Sequence, residues 1–328
     1  MLDLRCRSSI VRTLAVAALL ALAPLAARAQ ADYPNHTIKI IVPAPPGPLL
    51  DVLPRIVAEK LSARWGQPVI IENRPGFAQN LGAEIVSKAD NDGYTLLFTP
   101  PGPLTTSQYL YPKLGFDPGA FVPITVMVAL PAVIVVNPKV PAATIQELIA
   151  YAKGNPNTLT YGSPGAGSTP HLAMEKLQIA TGIRLIHVPY QGSAPAEADL
   201  LAGHIDLMID NLGNVLPSFK DGRLKLLAVT AETRRPDLPN VPAVSELVPG
   251  YSHQDWFAFV APPKTPPAIV DKLAQAIAET LKLPDVAKRL DDFVVTAVGS
   301  SPADTAALIQ RDRERWRDVI AASGLKLN

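Results

Sequence analysis

Thiol chemistry is almost absent from the chain: in 328 residues there is one cysteine, Cys6, close to the amino terminus. Nothing beyond that position can form a disulfide, a cysteine metal site or a cysteine nucleophile. Aromatic residues are few, at 6%, and Trp65, Trp256 and Trp316 each sit in an apolar pattern that reads as core. Neither sign of charge dominates, the formal net being +1. Long hydrophobic runs are also lacking. Residues 13–27 are uncharged and mostly apolar, but a membrane span needs about 20 such residues. With Arg5, Arg7 and Arg12 before it and Ala27-Arg28-Ala29 after it, this run reads as a signal peptide over residues 1–29, cleaved near Ala29, and so predicts export. Cys6 precedes the apolar run and is therefore no lipid-attachment site. Removing residues 1–29 takes away four arginines and one aspartate, leaving 26 basic and 28 acidic side chains. That balance excludes nucleic acid and anionic membrane as partners.

Motifs for covalent catalysis are missing as well. No G-x-S-x-G elbow occurs, and Ser168, His171 and Asp206 or Asp210 make a triad only on paper. A hydrolase using Ser168 or Ser193 with His171 is the alternative to be tested. His204 and His253 have no partner at ligand spacing, so neither a metal nor another cofactor is expected. Gly162 to Thr169 spells G-x-x-x-x-G-S-T, where Ser168 replaces the lysine a nucleotide would need. The dinucleotide fingerprint fails at Pro170, which stands where a third glycine should allow close packing.

What is present centres on Tyr161 to Leu177, a glycine- and hydroxyl-rich loop running into a helix. Ser168 or Thr169 can cap that helix, Pro170 suits its first turn, and the free amides and helix dipole would cradle a carboxylate or phosphate. Around it the chain alternates strands and helices. Residues 37–42, 69–72 and 95–99 read as strands separated by helices, the first of these capped by Asp51, with Pro54 tolerated in its first turn. A second set follows at residues 132–137, 185–188, 205–209 and 226–230, with a capping box at Thr144-Ile-Gln-Glu147. About 300 residues in two such sets predict two α/β lobes with mainly parallel sheets. Residues 256–261, 266–281 and a last helix opened by Ser301 would return to the first lobe. Proline is plentiful, at 34, and falls mostly between elements. Asp210 lies at the carboxyl end of its strand, where open α/β sheets place ligands.

The ordered blocks Gly66 to Gly76, Asn80 to Glu84, Asp92 to Leu96, Tyr161 to Leu172, His187 to Ala196 and Asp206 to Asn211 give the mature chain a resemblance to the Bug family, the periplasmic receptors of tripartite tricarboxylate transporters. The resemblance implies a type II periplasmic-binding fold. Lobe 1 would take residues 30–131 and 256–328, lobe 2 residues 132–255, and the ligand cleft would lie between them. It further implies a periplasmic location, a small organic carboxylate as ligand, integral-membrane transporter subunits as partners, and a monomer without catalytic activity; a sensory carboxylate-binding protein without its own transporter is the alternative within the same resemblance. The expected site comprises Pro46, Gly47, Leu49, Leu50 and Asp51 in the first loop, and Gly102, Leu104, Thr105 and Ser107 after the third strand. Around the central turn it adds Ala166, Gly167, Ser168, Thr169 and His171, and beyond it Gly192, Ser193, Ala194 and Asp210. The first loop departs from the family's run of glycines. Pro48 removes a backbone donor, and Leu49 and Leu50 bring apolar bulk, which predicts a ligand with an aromatic or medium-chain body.

Overall fold

The computed structural model describes residues 33–327; the expected signal peptide lies outside them. The chain opens with β1 (Ile38–Val42), α1 (Leu49–Trp65), β2 (Val69–Asn73), α2 (Asn80–Ser87) and β3 (Thr95–Thr99). Two short helices, α3 (Gly102–Thr105) and α4 (Ser107–Leu110), then lead to the long strand β4 (Val122–Leu130). The second set is β5 (Ala132–Val136), α5 (Ile145–Gly154), β6 (Thr160–Ser163), α6 (Thr169–Thr181), β7 (Ile186–Pro189), α7 (Ser193–Ala202), β8 (Leu207–Asn211), α8 (Leu212–Lys220) and β9 (Lys225–Val229). The chain closes with β10 (Asp255–Ala261), α9 (Pro267–Leu281), α10 (Pro284–Asp292), β11 (Thr296–Ala297) and α11 (Pro302–Ser323).

These elements form two sheets, ordered β11-β4-β10-β3-β1-β2 and β7-β6-β8-β5-β9. In the first, β1 pairs parallel with β2 and β3, and β10 lies antiparallel between β3 and β4. In the second, β6 pairs parallel with β7 and β8, and β5 lies antiparallel between β8 and β9. The inserted strand in each sheet is the one that has just crossed from the other lobe, the two-lobed arrangement expected. Because the insert runs backwards, its first residues lie beside the carboxyl ends of its neighbours: Ala132 pairs with Asn211, and Asp255 precedes the pairing of Ala258 with Thr99. Both crossings therefore deliver side chains to the cleft.

Thr230 ties the crossings together. Its hydroxyl contacts the carbonyls of Ala132 and His253 at 2.9 and 2.8 Å, and its own carbonyl accepts the His253 amide at 2.8 Å. A further tie is α11, whose Trp316 and Ile320 pack in the core of the second sheet together with Leu325 and Leu327. Farther up the same helix, Asp312 accepts the indole N–H of Trp256 at 2.7 Å.

One local expectation is corrected. α1 starts at Leu49, with Pro48 rather than Asp51 at its cap, so Pro54 falls beyond the first turn. Its missing N–H leaves the carbonyl of Leu50 without the usual helical donor. The helix survives because Leu53, Ile56, Val57 and Leu61 are all buried in the first core and Gly66 closes the end at φ 63°.

Candidate functional site

The first lip of the cleft is the loop between β1 and α1. Asp51 holds it from behind: one carboxylate oxygen accepts the Gly47 amide at 3.1 Å, while the other accepts Arg55 at 2.7 Å and Asn73 at 2.9 Å. The Leu49 amide donates to Asn214 of the opposite lobe at 3.0 Å. Leu50 is buried against the first core and also faces the cleft. Beside this lip, Phe77, Ala78 and Gln79 adopt φ of 48°, 47° and 75° in succession. Each such left-handed residue costs roughly 1–2 kcal/mol. The strained turn brings Gln79 to the cavity and Ala78 against Gly165 of the other lobe.

The second lip is the central glycine loop, and its expected cradle is largely turned on itself. Gly167 donates its amide to His171 Nδ1 at 2.8 Å, and Ser168 donates to the Gly165 carbonyl at 3.1 Å. Only the first-turn amides of α6, at Thr169 and His171, remain as helix-end donors. His171 itself is buried and stacked on His187 with 3.8 Å between ring centroids. Burial, with the neighbouring His187, pushes its pKa down to about 3, so the ring is neutral and Nδ1 is the acceptor the loop needs. Ser168 Oγ is buried without a partner, unpaired with His171. The serine–histidine contact that does form, Ser163 Oγ to His187 Nε2 at 2.6 Å, joins residues outside the cavity wall.

Between the lips lies a cavity walled by both lobes. Ala44, Pro48, Leu50, Gln79, Pro100, Asp255 and Phe257 come from the first; Pro164, Thr169, Pro170, Gly192, Ser193, Asp210, Asn211 and Asn214 come from the second. The cavity volume is only about 30 Å³, room for about two waters, so admitting an organic acid requires the lips to part. Among the residues of this wall none is lysine, arginine or histidine, and two are aspartates. Asp210 Oδ1 accepts the Asn211 amide at 2.7 Å, Asn214 Nδ2 at 3.0 Å and the Ser193 hydroxyl at 3.2 Å, whereas Oδ2 accepts nothing. Asp255 reaches across to Thr169 Oγ1 at 3.3 Å and Asn211 Nδ2 at 3.5 Å. Burial pushes both carboxyls up to about 7, despite the donors that face them.

Of the residues singled out in the sequence, Leu50, Thr169, Gly192, Ser193 and Asp210 line this cavity. Gly47, Leu49 and Ala194 line an adjoining opening with Ser193, Gly213 and Phe293. The rest are elsewhere. Pro46 is exposed on the rim, and Asp51 faces backwards. The helices α3 and α4 turn the third loop inward: Leu104 joins the core, Thr105 bonds the Pro101 carbonyl at 2.8 Å, and Ser107 bonds Asn80 at 2.7 Å. Gly102 lies in the same turn, and its carbonyl accepts from Thr106 at 3.2 Å. Ala166 gives its carbonyl to Tyr111 at 2.8 Å, while Gly167, Ser168 and His171 serve the turn itself. Sequence reasoning missed Gln79, Asn211, Asn214, Asp255 and Phe257. Asp255 had a readable signal, since it begins the strand that returns from the second lobe; Gln79 had none, because its place depends on the left-handed turn.

Comparison with known proteins sets this geometry in context. Residues 53–325 match the model of the Tripartite tricarboxylate transporter family receptor. Protein BugT of Bordetella pertussis is 35% identical over 324 residues, spanning 97% of this chain and 99% of that protein. A solved R. palustris protein, Rpa4515 with adipate, superposes with a TM-score of 0.86 at 35% identity, over 90% of this chain and 99% of that one. MatC from Rhodopseudomonas palustris, with bound malate, superposes at 0.83 and 29% identity, over 88% and 100%.

Proposed function

The chain belongs to the tripartite tricarboxylate transporter receptor family, and on that premise we propose that it captures a small organic carboxylate between its lobes, unchanged chemically, in the periplasm. The closed form would then be presented to integral-membrane transporter subunits. The observation that carries the capture step is the cavity itself, walled by both lobes and holding buried polar atoms, Asp210 Oδ2 and Asn211 Oδ1, that have no partner within the protein. The delivery step rests on family membership. The relatives solved with adipate and with malate support a carboxylate as the ligand class. A hydrolase reading gains nothing from the site, because Ser168 and His171 are not paired.

The apolar part of the wall, with Leu50, Phe257 and several prolines, supports an acid that carries an apolar body. Thermal unfolding against mono-, di- and tricarboxylates tests both statements, since a ligand at 100 times its Kd stabilises by about 2.7 kcal/mol. Aromatic or medium-chain acids are expected to stabilise more than citrate. In Leu50→Ala the same acids should lose about 1.5 kcal/mol, roughly tenfold in affinity, while succinate loses little. Comparing two ligands on one variant removes the fold's own loss of stability from the result. Equal losses for both classes, or a wild-type preference for citrate, would rule out the apolar-body reading.

A further inference from the structure

The cavity presents a chemical conflict: a site proposed to hold a carboxylate is walled by two buried aspartates and no basic side chain. Two ionised acids and an ionised ligand cannot share a space of low dielectric constant without a large repulsion. The hydrogen bonds around Asp210 suggest how the conflict is resolved. Its two oxygens are used unequally, because Oδ1 takes all three donors, Asn211 N–H, Asn214 Nδ2 and Ser193 Oγ, leaving Oδ2 buried and bare. A proton on Oδ2 disturbs none of those bonds and turns the bare acceptor into a donor within the cavity wall. Asp255 is built differently: Oδ1 accepts Trp256 N–H and Thr169 Oγ1, and Oδ2 accepts Asn211 Nδ2, so both its oxygens are engaged.

We propose that Asp210 binds in its protonated form, donating Oδ2–H to the ligand carboxylate, so that capture takes up one proton from solution. The inference rests on the carboxylate-receptor reading and assigns that site its proton dependence. No covalent bond of the ligand is made or broken; the proton added to Asp210 on capture returns to solvent on release.

The groups facing Asp210 favour this protonation. Glu197 from α7 disfavours its ionised form, and Asp255 from β10, itself pushed up by burial and by Asp210, is the second buried acid beside it. Glu197 is itself pushed up by burial, with Arg223 and Ser218 opposing the shift. The remaining neighbours of the carboxyl, Ser193, Asn211 and Asn214, are uncharged, and β5 pairs alongside with Val133. Burial in the closed arrangement pushes the carboxyl up to about 7, so closing the lobes favours its protonation. The sign follows from linkage. Where the carboxyl of the free protein is protonated affinity is level; where it is ionised, each further pH unit removes the competent form about tenfold.

Calorimetry of the full mature protein with adipate and with hexanoate, at pH 6, 7, 8 and 9 in buffers of differing ionisation enthalpy, reads affinity and proton count together. The expected result is a fall in affinity of about tenfold per unit from pH 7 to 9, with close to one proton absorbed at pH 8. In Asp210→Asn the amide N–H₂ takes the place of Oδ2–H, and both the slope and the proton uptake should vanish. Glu197→Gln and Asp255→Asn should each keep them. Binding that is flat from pH 6 to 9 overturns the proton coupling and leaves the receptor reading intact. A slope that disappears in Glu197→Gln or Asp255→Asn but persists in Asp210→Asn moves the proton off Asp210 and overturns the assignment. Affinity that rises with pH overturns it too, because Asp210 would then be an ionised acceptor for a ligand's donor group. Absence of binding by any acid of the carboxylate panel at every pH overturns the receptor reading and this inference with it.

Discussion

Gly213→Ala is expected to weaken ligand binding by about fivefold to more than a hundredfold while leaving the melting temperature unchanged or slightly raised. Gly213 lies in the first turn of α8, and a Cβ placed there meets the Phe293 carbonyl oxygen at 2.2 Å and Leu49 Cδ1 at 2.9 Å. Both neighbours belong to the other lobe, and one of them is backbone that cannot swing aside. Forcing an extra methyl into a tight contact costs about 1–3 kcal/mol, here charged to the closed arrangement alone. The open form gains from the change, since glycine inside a helix is destabilising by roughly 0.5–1 kcal/mol relative to alanine. The population of the binding-competent state falls, and apparent affinity falls by the same factor. Gly165 and Gly192 are placed similarly, against Ala78 and Pro45, but their φ of 150° and 117° confound any substitution with backbone strain. A thermal melt and one titration on Gly213→Ala separate closure from folding. An affinity within twofold of wild type would mean that the ligand-bound lobes do not meet at Gly213.

The largest expected effect on stability belongs to Trp316→Ala. Trp316 is 1% exposed and packs in the core of the second sheet, although its helix runs along β4 of the first. Its ring meets His253 edge-on at 5.8 Å, beside the crossing that Thr230 ties, and Arg315 lies over its face at 5.1 Å. Removing a buried tryptophan costs about 3–5 kcal/mol, and in a protein of this size each kcal/mol lowers the melting temperature by roughly 2–4 °C. A fall of about 6–20 °C in thermal unfolding followed by circular dichroism is the expected outcome. A change below about 2 °C would show that α11 contributes little to holding the second lobe.

Much of the fold is legible from local pattern. Each strand read in the sequence is present within two residues of its expected ends, because buried β-branched runs flanked by glycine and proline leave little freedom. The helix start at Thr144 is also as read: Thr144 Oγ1 accepts the Glu147 amide at 3.1 Å, though Glu147 reaches back to Ala143 rather than to Thr144. β4 escaped notice because it is buried over most of its length and so lacks alternation, and because Pro123 interrupts its start. The site was less legible. Asp210 could be placed by strand alternation and its position at a sheet's carboxyl edge. The inward turn of the Gly167 amide could not, since it depends on a neutral His171 four residues on. Leu49 and Leu50 are adjacent in sequence yet part company, one at the mouth with Gly213 and the other in the cavity wall, and only helix phase within the folded lobe decides which is which.

The claim on which everything else depends is that a carboxylate is held between two lobes that close on it. Pro46 and Gln191 are exposed residues next to Pro45 and Gly192, which face each other across the lips so closely that a Cβ on Gly192 would meet Pro45. The one natural cysteine, Cys6, lies within the expected signal peptide, so cysteines placed at Pro46 and Gln191 in the mature chain would carry spin labels at those positions alone. Pulsed electron–electron distance measurement on that protein, free and saturated with the acid that stabilises it most, reads closure directly. A broad, longer distribution collapsing to one narrow short distance on saturation is the predicted result; a distribution unchanged by an acid proven to bind would contradict the account.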